Sequence, residues 1–361
     1  MITVTKTFFP PFEDYQAKLR QIWESGWLTN GGRLENELTL KVGQYLGVSH
    51  IELVANGMLA LQLAIKALNL KGEIITTPYS YVATANAIVW EGCKPVFVDI
   101  DEKTFCIDPS LIEAAITEKT SAILATHVYG YPCDVEKIAE IAGRHNLKVI
   151  YDGAHCFGVK LDGQSLLVHG DISTLSFHAT KIFHTAEGGA VVCRDENVSK
   201  RVYVIKRFGH FGEDDYQDIG INAKMSELHA AMGLCILPMM DQIIDGRRQI
   251  STLYDELIKD SQLYHLGAPQ GVEYNYNYYP VLFPSHEDMM RARKALMDKD
   301  IYPRRYFYPS LNTLPYLQQA AYKACPVSES AAMRVLCLPI YYELQKEEII
   351  KITGIILGTI K

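Results

Sequence analysis

The sequence predicts an α/β protein: a large first domain on a seven-stranded mixed, mostly parallel sheet, followed by a smaller C-terminal α+β domain. Three observations predict it. Short β-rich runs recur seven times before residue 194, helical patterns stand between them, and beyond Asn222 the pattern changes to longer helical stretches. At 361 residues the chain exceeds what one hydrophobic core usually organises. The expected division is 1–240 and 241–361.

The β-rich runs are 50–54, 73–77, 95–100, 121–127, 148–152, 172–177 and 189–193. Helical patterns fall at 59–68, 82–90, 109–117 and 135–145. Asp108 is placed as an N-cap with Pro109 in the first turn, and Val135, Ile138 and Ile141 recur at helical spacing. Strand and helix in alternation build a mostly parallel sheet with helices on both faces, and ligands of such sheets bind at the carboxyl ends of the strands. After Asn222 come helical stretches at 223–237 and 241–260, a strand-like run at 275–283, a helix at 288–299 and a last helix at 346–356. No repeat or low-complexity linker separates the two regions, so the second is expected to pack closely on the first.

Composition narrows the function. An apolar fraction of 48% and a charged fraction of 21% are those of an ordinary globular protein. The net charge of −7 is spread without long runs, which argues against a nucleic-acid surface and against docking on anionic membrane. Eight cysteines lie singly, with no CxxC pair, and read as reduced core residues of a cytoplasmic protein rather than a disulfide framework or a metal site. No signal peptide is visible before Pro10 and Pro11, and the apolar stretch 230–240 is too short to span a bilayer. No GxGxxG follows the first strand, and neither a P-loop nor HExxH occurs.

The chemistry concentrates at strand ends. In SFHATKIFHTAEGGAVV (176–192) a strand breaks into a loop carrying Ser176, Lys181 and a glycine pair before the next strand begins. Such a loop presents an amine to an aldehyde cofactor. Asp152 closes the buried run LKVIYD, where a carboxylate without a partner is costly, and His155 follows three residues on. Gly57 and Met58 in VANGMLALQLAIKAL mark a turn into a helix, whose first N–H groups bind phosphate without any side chain. Tyr81 stands at another strand end, placed to stack on a cofactor ring. Asn222 lies in the turn GINAKM. A nucleophilic amine, a partner for a pyridinium nitrogen and donors for a phosphate are what pyridoxal 5'-phosphate requires of a protein.

SFHATK followed by EGG, YDGAHCFG, PYSYVATANAIVWEGCKPVFVDID and GINAKMSELHAAMGL together resemble the sugar aminotransferases of the DegT/DnrJ/EryC1/StrS family over nearly the whole chain. The resemblance implies an aspartate-aminotransferase-type (fold type I) homodimer with pyridoxal phosphate at the subunit interface. It implies that Lys181 is the covalent partner of the cofactor, that Asp152 meets the pyridine nitrogen and that His155 lies beside the ring. Tyr81 is then the stacking residue, while Gly57, Met58 and Ser176 hold the phosphate and Asn222 reaches it from the partner subunit. Thr29, His184, Arg305 and Tyr308 are the candidate substrate contacts.

Met58 departs from the family pattern, which often has threonine or serine there, so a hydroxyl contact is lost and the backbone N–H remains. Members that dehydrate sugars carry histidine where this chain has Lys181, which favours transamination. The form SFHxxK with EGG after it resembles members that aminate C4 of a keto-sugar. The implied reaction takes L-glutamate and a nucleotide-linked 4-keto-6-deoxy sugar, expected to be dTDP-4-keto-6-deoxy-D-glucose. Amination at C3 is the alternative, and a non-catalytic regulator on the same fold the remoter one.

Overall fold

The computed structural model describes residues 1–317 and 323–360. All seven expected strands are present and form one sheet, in the order Ile51–Val54, Gly189–Cys193, Ile172–Ser176, Lys148–Asp152, Thr120–Thr126, Glu73–Thr76, Lys94–Phe97. Gly189–Cys193 runs antiparallel to both its neighbours, and the other pairings are parallel. The strands read as continuous apolar runs because both faces are covered, and alternate residues feed two separate cores. Ile75, Ile123 and Val149 enter one apolar cluster; their neighbours Ile74, Leu124 and Ile150 enter the other.

Caps fix where the helices around the sheet begin. Asn56 accepts the Leu59 N–H ahead of Gly57–Ala67, Asp134 that of Lys137 ahead of Val135–His145, and Ser226 that of His229 ahead of Glu227–Ile236. The helix expected at 109–117 is a correction. Asp108 does cap it, but the segment is two short 3-10 turns, Pro109–Leu111 and Glu113–Ala115. Ile112 and Ala115 are its buried apolar residues, three apart, a spacing that a 3-10 turn brings to one side. Ile116 is already extended, turning the chain into the Thr120–Thr126 strand.

Several elements were not read from the sequence. Phe12–Ser25, Arg33–Leu46, Glu196–Ile205 and Pro326–Arg334 are helices. The chain also opens with a strand, Ile2–Thr3, parallel to Ile301–Tyr302. The strand-like run 275–283 contributes only Tyr279–Leu282, the middle of a three-stranded antiparallel sheet with Tyr264–His265 and Val335–Leu338. The helices Met240–Ile258, His286–Met297 and Lys346–Leu357 share an apolar cluster with that sheet. All eight cysteines are free and seven are buried. Among the described residues no helix is long and apolar enough to cross a membrane.

Candidate active site

The Lys181 loop is a hairpin extension of the sheet. Phe177 N–H bonds Gly188 O at 2.8 Å and Thr185 N–H bonds Phe177 O at 2.9 Å, which closes the loop at its base. Phe177 and Phe183 meet edge to face at 4.9 Å and Phe183 stacks on Phe157 at 4.2 Å, so the loop is anchored by buried rings before and after the lysine. The glycine pair is a packing requirement: a Cβ on Gly188 would stand 2.0 Å from Thr185 Oγ1, and one on Gly189 2.8 Å from the Asn56 carbonyl. Lys181 is partly buried. Burial lowers its amine to about 8, against the opposing pull of Asp152 and Cys156.

An amine lowered to about 8 is half uncharged at pH 8 and therefore far more nucleophilic there than an ordinary lysine. Covalent capture of pyridoxal phosphate by cofactor-free protein, trapped with borohydride and weighed by mass spectrometry, is expected to accelerate about tenfold per pH unit below 8 and to level off above it. A rate still climbing steeply at pH 10 would show an ordinary solvated lysine.

Asp152 lies at the end of its strand, 6% exposed, with both oxygens engaged. Oδ1 accepts the Ala154 N–H at 3.1 Å and Oδ2 accepts the Thr84 hydroxyl at 2.6 Å. His155 is buried, and its Nδ1 accepts the Tyr129 N–H at 3.1 Å, which leaves the ring proton on Nε2. Burial first, and the Lys181 charge second, hold His155 well below the ordinary histidine range, so it is neutral at physiological pH. Its ring is parallel to Phe307 at 5.8 Å and edge-on to Tyr278 at 5.0 Å. Asn275 donates to the His155 and Phe157 carbonyls at 2.8 and 2.9 Å, so the segment following the sheet clamps the turn that carries His155.

The phosphate candidates also converge. The Gly57–Ala67 helix starts against the end of the Ile172–Ser176 strand, where a Cβ on Gly57 would lie 2.8 Å from Ser176 Cβ. Asn56 occupies the Leu59 N–H, and the N–H groups of Gly57 and Met58 have no intrahelical acceptor. A helix start, a hydroxyl and a glycine that permits close approach form a cradle suited to a phosphate monoester. The amine, the carboxylate and the cradle all lie at the ends of neighbouring strands, so the residues present fit pyridoxal phosphate.

The remaining candidates are placed differently. Tyr81 precedes the Val82–Trp90 helix and is 61% exposed, its ring available for stacking. Arg305 and Tyr308 lie on the segment that carries Phe307, the ring parallel to His155; the Arg305 guanidinium lies 3.3 Å from the centroid of the Tyr308 ring. Thr29 is exposed in the connection between the first two helices. Asn222 is exposed, and its side chain accepts from Lys224 Nζ at 2.6 Å. His184 does not suit a substrate contact. It is buried, with Nε2 on the Phe8 carbonyl at 2.7 Å and Nδ1 accepting the Ala186 N–H at 3.2 Å, so it ties down the N-terminal segment. Sequence reasoning missed Thr84, Phe307 and Asn275. For Thr84 a signal was available, three residues beyond Tyr81 in the motif PYSYVATANA.

The DegT/DnrJ/EryC1/StrS aminotransferase family profile matches residues 12–357. A Shigella dysenteriae protein named dTDP-4-amino-4,6-dideoxy-D-glucose transaminase is 44% identical over 96% of this chain and 95% of its own length. An Escherichia coli protein of the same name is 40% identical over 99% and 98%. Among solved structures, DesI, crystallised in the presence of its TDP-sugar product, superposes with a TM-score of 0.92 at 30% identity, covering 99% of this chain and 92% of that one. With the strand-end lysine and carboxylate in place and similarity running nearly end to end, this chain belongs to the DegT/DnrJ/EryC1/StrS aminotransferase family.

Proposed function

We propose that the chain is a pyridoxal-phosphate-dependent nucleotide-sugar transaminase. It moves an amino group from L-glutamate to C4 of dTDP-4-keto-6-deoxy-D-glucose, giving dTDP-4-amino-4,6-dideoxy-D-glucose. The observation that carries the reading is near full-length similarity to two transaminases of that specificity in a chain that keeps the amine at about 8 beside a buried carboxylate. When bound, the cofactor supplies an aldehyde and a ring that accepts the electron pair of a carbanion.

The chain's own residues do the rest. Lys181 would hold the cofactor's aldehyde, and its amine is the group that takes the Cα proton of the donor and, in the second half-reaction, delivers a proton to C4 of the sugar. Asp152 would meet the pyridine nitrogen and hold its proton. His155 presents Nε2–H beside the ring, and its low basicity keeps it a fixed donor. Gly57, Met58 and Ser176 hold the phosphate, Met58 through its backbone alone. Tyr81 covers the ring, and Thr29, Arg305 and Tyr308 contact the nucleotide sugar.

Incubation of purified protein with dTDP-4-keto-6-deoxy-D-glucose, L-glutamate and pyridoxal phosphate tests the reading. Formation of 2-oxoglutarate and a product with nitrogen on C4 by NMR is expected. An amine at C3, or no product, overturns it.

The same reading makes the protein a cytoplasmic homodimer with shared sites. Its support is the exposed apolar group around Asn222: Phe208, Ile219 and Ile221, with Trp27 and Leu28 on the loop joined to Glu227 N–H through Leu28 O. Asn222 of one protomer then reaches the phosphate held by its partner. Lys181→Ala and Asn222→Glu chains, each inactive alone, are expected to recover up to about a quarter of the wild-type sites on random mixing, since a heterodimer holds one intact site. No recovery after verified subunit exchange, or a fully active monomer in sedimentation, contradicts the shared site.

A further inference from the structure

Asp152 is the end of a buried chain of hydroxyls that comes from a helix start and a neighbouring strand end. Thr84 Oγ1 donates to Asp152 Oδ2 at 2.6 Å; Ser80 Oγ lies 2.7 Å from Thr84 Oγ1; Thr126 Oγ1 donates to Ser80 Oγ at 3.0 Å. All three hydroxyl residues are buried. Thr126 ends the strand next to that of Asp152, and the two are paired in register. Thr84 and Ser80 belong to the start of the Val82–Trp90 helix, yet no side chain caps that helix. A threonine in a helix usually turns its hydroxyl back to a carbonyl of the preceding turn. Thr84 instead gives it to the carboxylate.

The direction of the chain follows from chemistry. An ionised carboxylate only accepts, so the Thr84 proton points at Asp152. Thr84 oxygen must then accept from Ser80, and Ser80 from Thr126. Three dipoles are aligned toward one carboxylate oxygen, each bond polarising the next in a buried setting. With Oδ1 turned to Ala154 N–H, the carboxylate plane is fixed from two sides.

We propose that Thr84, backed by Ser80 and Thr126, is a positioning residue that holds the Asp152 carboxylate in the orientation required to keep the cofactor's pyridine nitrogen protonated. The proposal rests on the assignment of Asp152 to that nitrogen. Removing the Thr84 hydroxyl leaves the volume of the side chain nearly unchanged and releases one side of the carboxylate. Thr84→Val is therefore expected to lower kcat about tenfold with little change in KM, the pattern of a lost transition-state interaction. Thr84→Ser retains the hydroxyl and is expected to behave as wild type.

The test uses the full-length protein loaded with pyridoxal phosphate labelled with 15N in the ring, and reads the ring-nitrogen NMR shift alongside the kinetics. Expected are a protonated-pyridinium shift in wild type and Thr84→Ser, and movement toward the neutral-pyridine position in Thr84→Val. Ser80→Ala, which breaks the chain one link further out, is expected to move the shift less in the same direction and serves in place of Thr84→Val should that variant not fold. Asp152→Asn is the control for the underlying assignment and must move the shift furthest. If Asp152→Asn moves it while neither Thr84→Val nor Ser80→Ala does, the positioning role is overturned and the assignment of Asp152 stands. If Asp152→Asn leaves it unmoved, that assignment fails and the proposal falls with it.

Discussion

Replacing Lys181 with alanine is expected to reduce turnover by at least about 10⁴-fold while the protein still folds and still binds pyridoxal phosphate without a covalent link. One amine serves both the covalent attachment and the proton transfers, so no other group in the site replaces it. His155 is held neutral with Nδ1 already accepting from Tyr129, and Cys156 is raised well above the ordinary thiol range by burial. The measurement is 2-oxoglutarate formation by the purified variant, with cofactor content read from its absorption. A near-wild-type rate would remove Lys181 from the mechanism. A stability comparison separates a reactive lysine from a structural one. In the cofactor-free protein burial disfavours the charged amine, so wild type carries a cost below about pH 8 that shrinks as pH rises from 8 toward the ordinary lysine range. Lys181→Ala lacks that cost. Its melting temperature relative to wild type is therefore expected to be more favourable at pH 7 than at pH 10.

Much of this site was legible because the fold puts its chemistry at strand ends, and strand ends are marked in sequence. The runs closing in Asp152 and Ser176 are short, apolar and bounded by Gly153 and by the Lys181 loop, so the strands emerged with bounds of one or two residues. The helix Arg33–Leu46 was equally available: Leu34, Leu38, Val42 and Leu46 form a four-residue stripe that is buried throughout. What local pattern could not supply was anything fixed by distant segments. Thr84 sits in an apolar helix, and only the neighbouring strand end makes it a partner of Asp152. Phe307 and Asn275 reach His155 across more than a hundred residues of chain. The same limit produced the wrong placement of His184: a histidine three residues after the lysine is near it in sequence, but the N-terminal segment, through Phe8 O, takes its ring.

Asp152→Asn is expected to cut turnover by at least about a hundredfold, close to 2.7 kcal/mol of barrier, with the fold retained. Loss of the charge weakens the hold on the pyridine proton and with it the electron sink. The structure adds a second cost that charge alone does not predict. Both groups bonded to Asp152 are donors, Ala154 N–H and the Thr84 hydroxyl, and asparagine offers only one acceptor atom. The backbone N–H cannot turn, so the amide oxygen faces Ala154 and the amide NH₂ faces Thr84. Thr84 must then reverse its proton toward Ser80, and the disturbance passes to Thr126, whose own hydroxyl points the same way. A buried donor left without an acceptor costs about 1–3 kcal/mol, so Asp152→Asn is also expected to lower the melting temperature by several degrees. Adding Thr84→Val to Asp152→Asn takes away the oxygen that the new amide NH₂ faces and the partner of Ser80, so it is expected to lower stability further and not to restore turnover. The decisive measurement is therefore the rate of Asp152→Asn well below its melting temperature: a low rate in folded protein shows that the charge serves catalysis, whereas an unchanged rate would reduce Asp152 to a strand-end carboxylate.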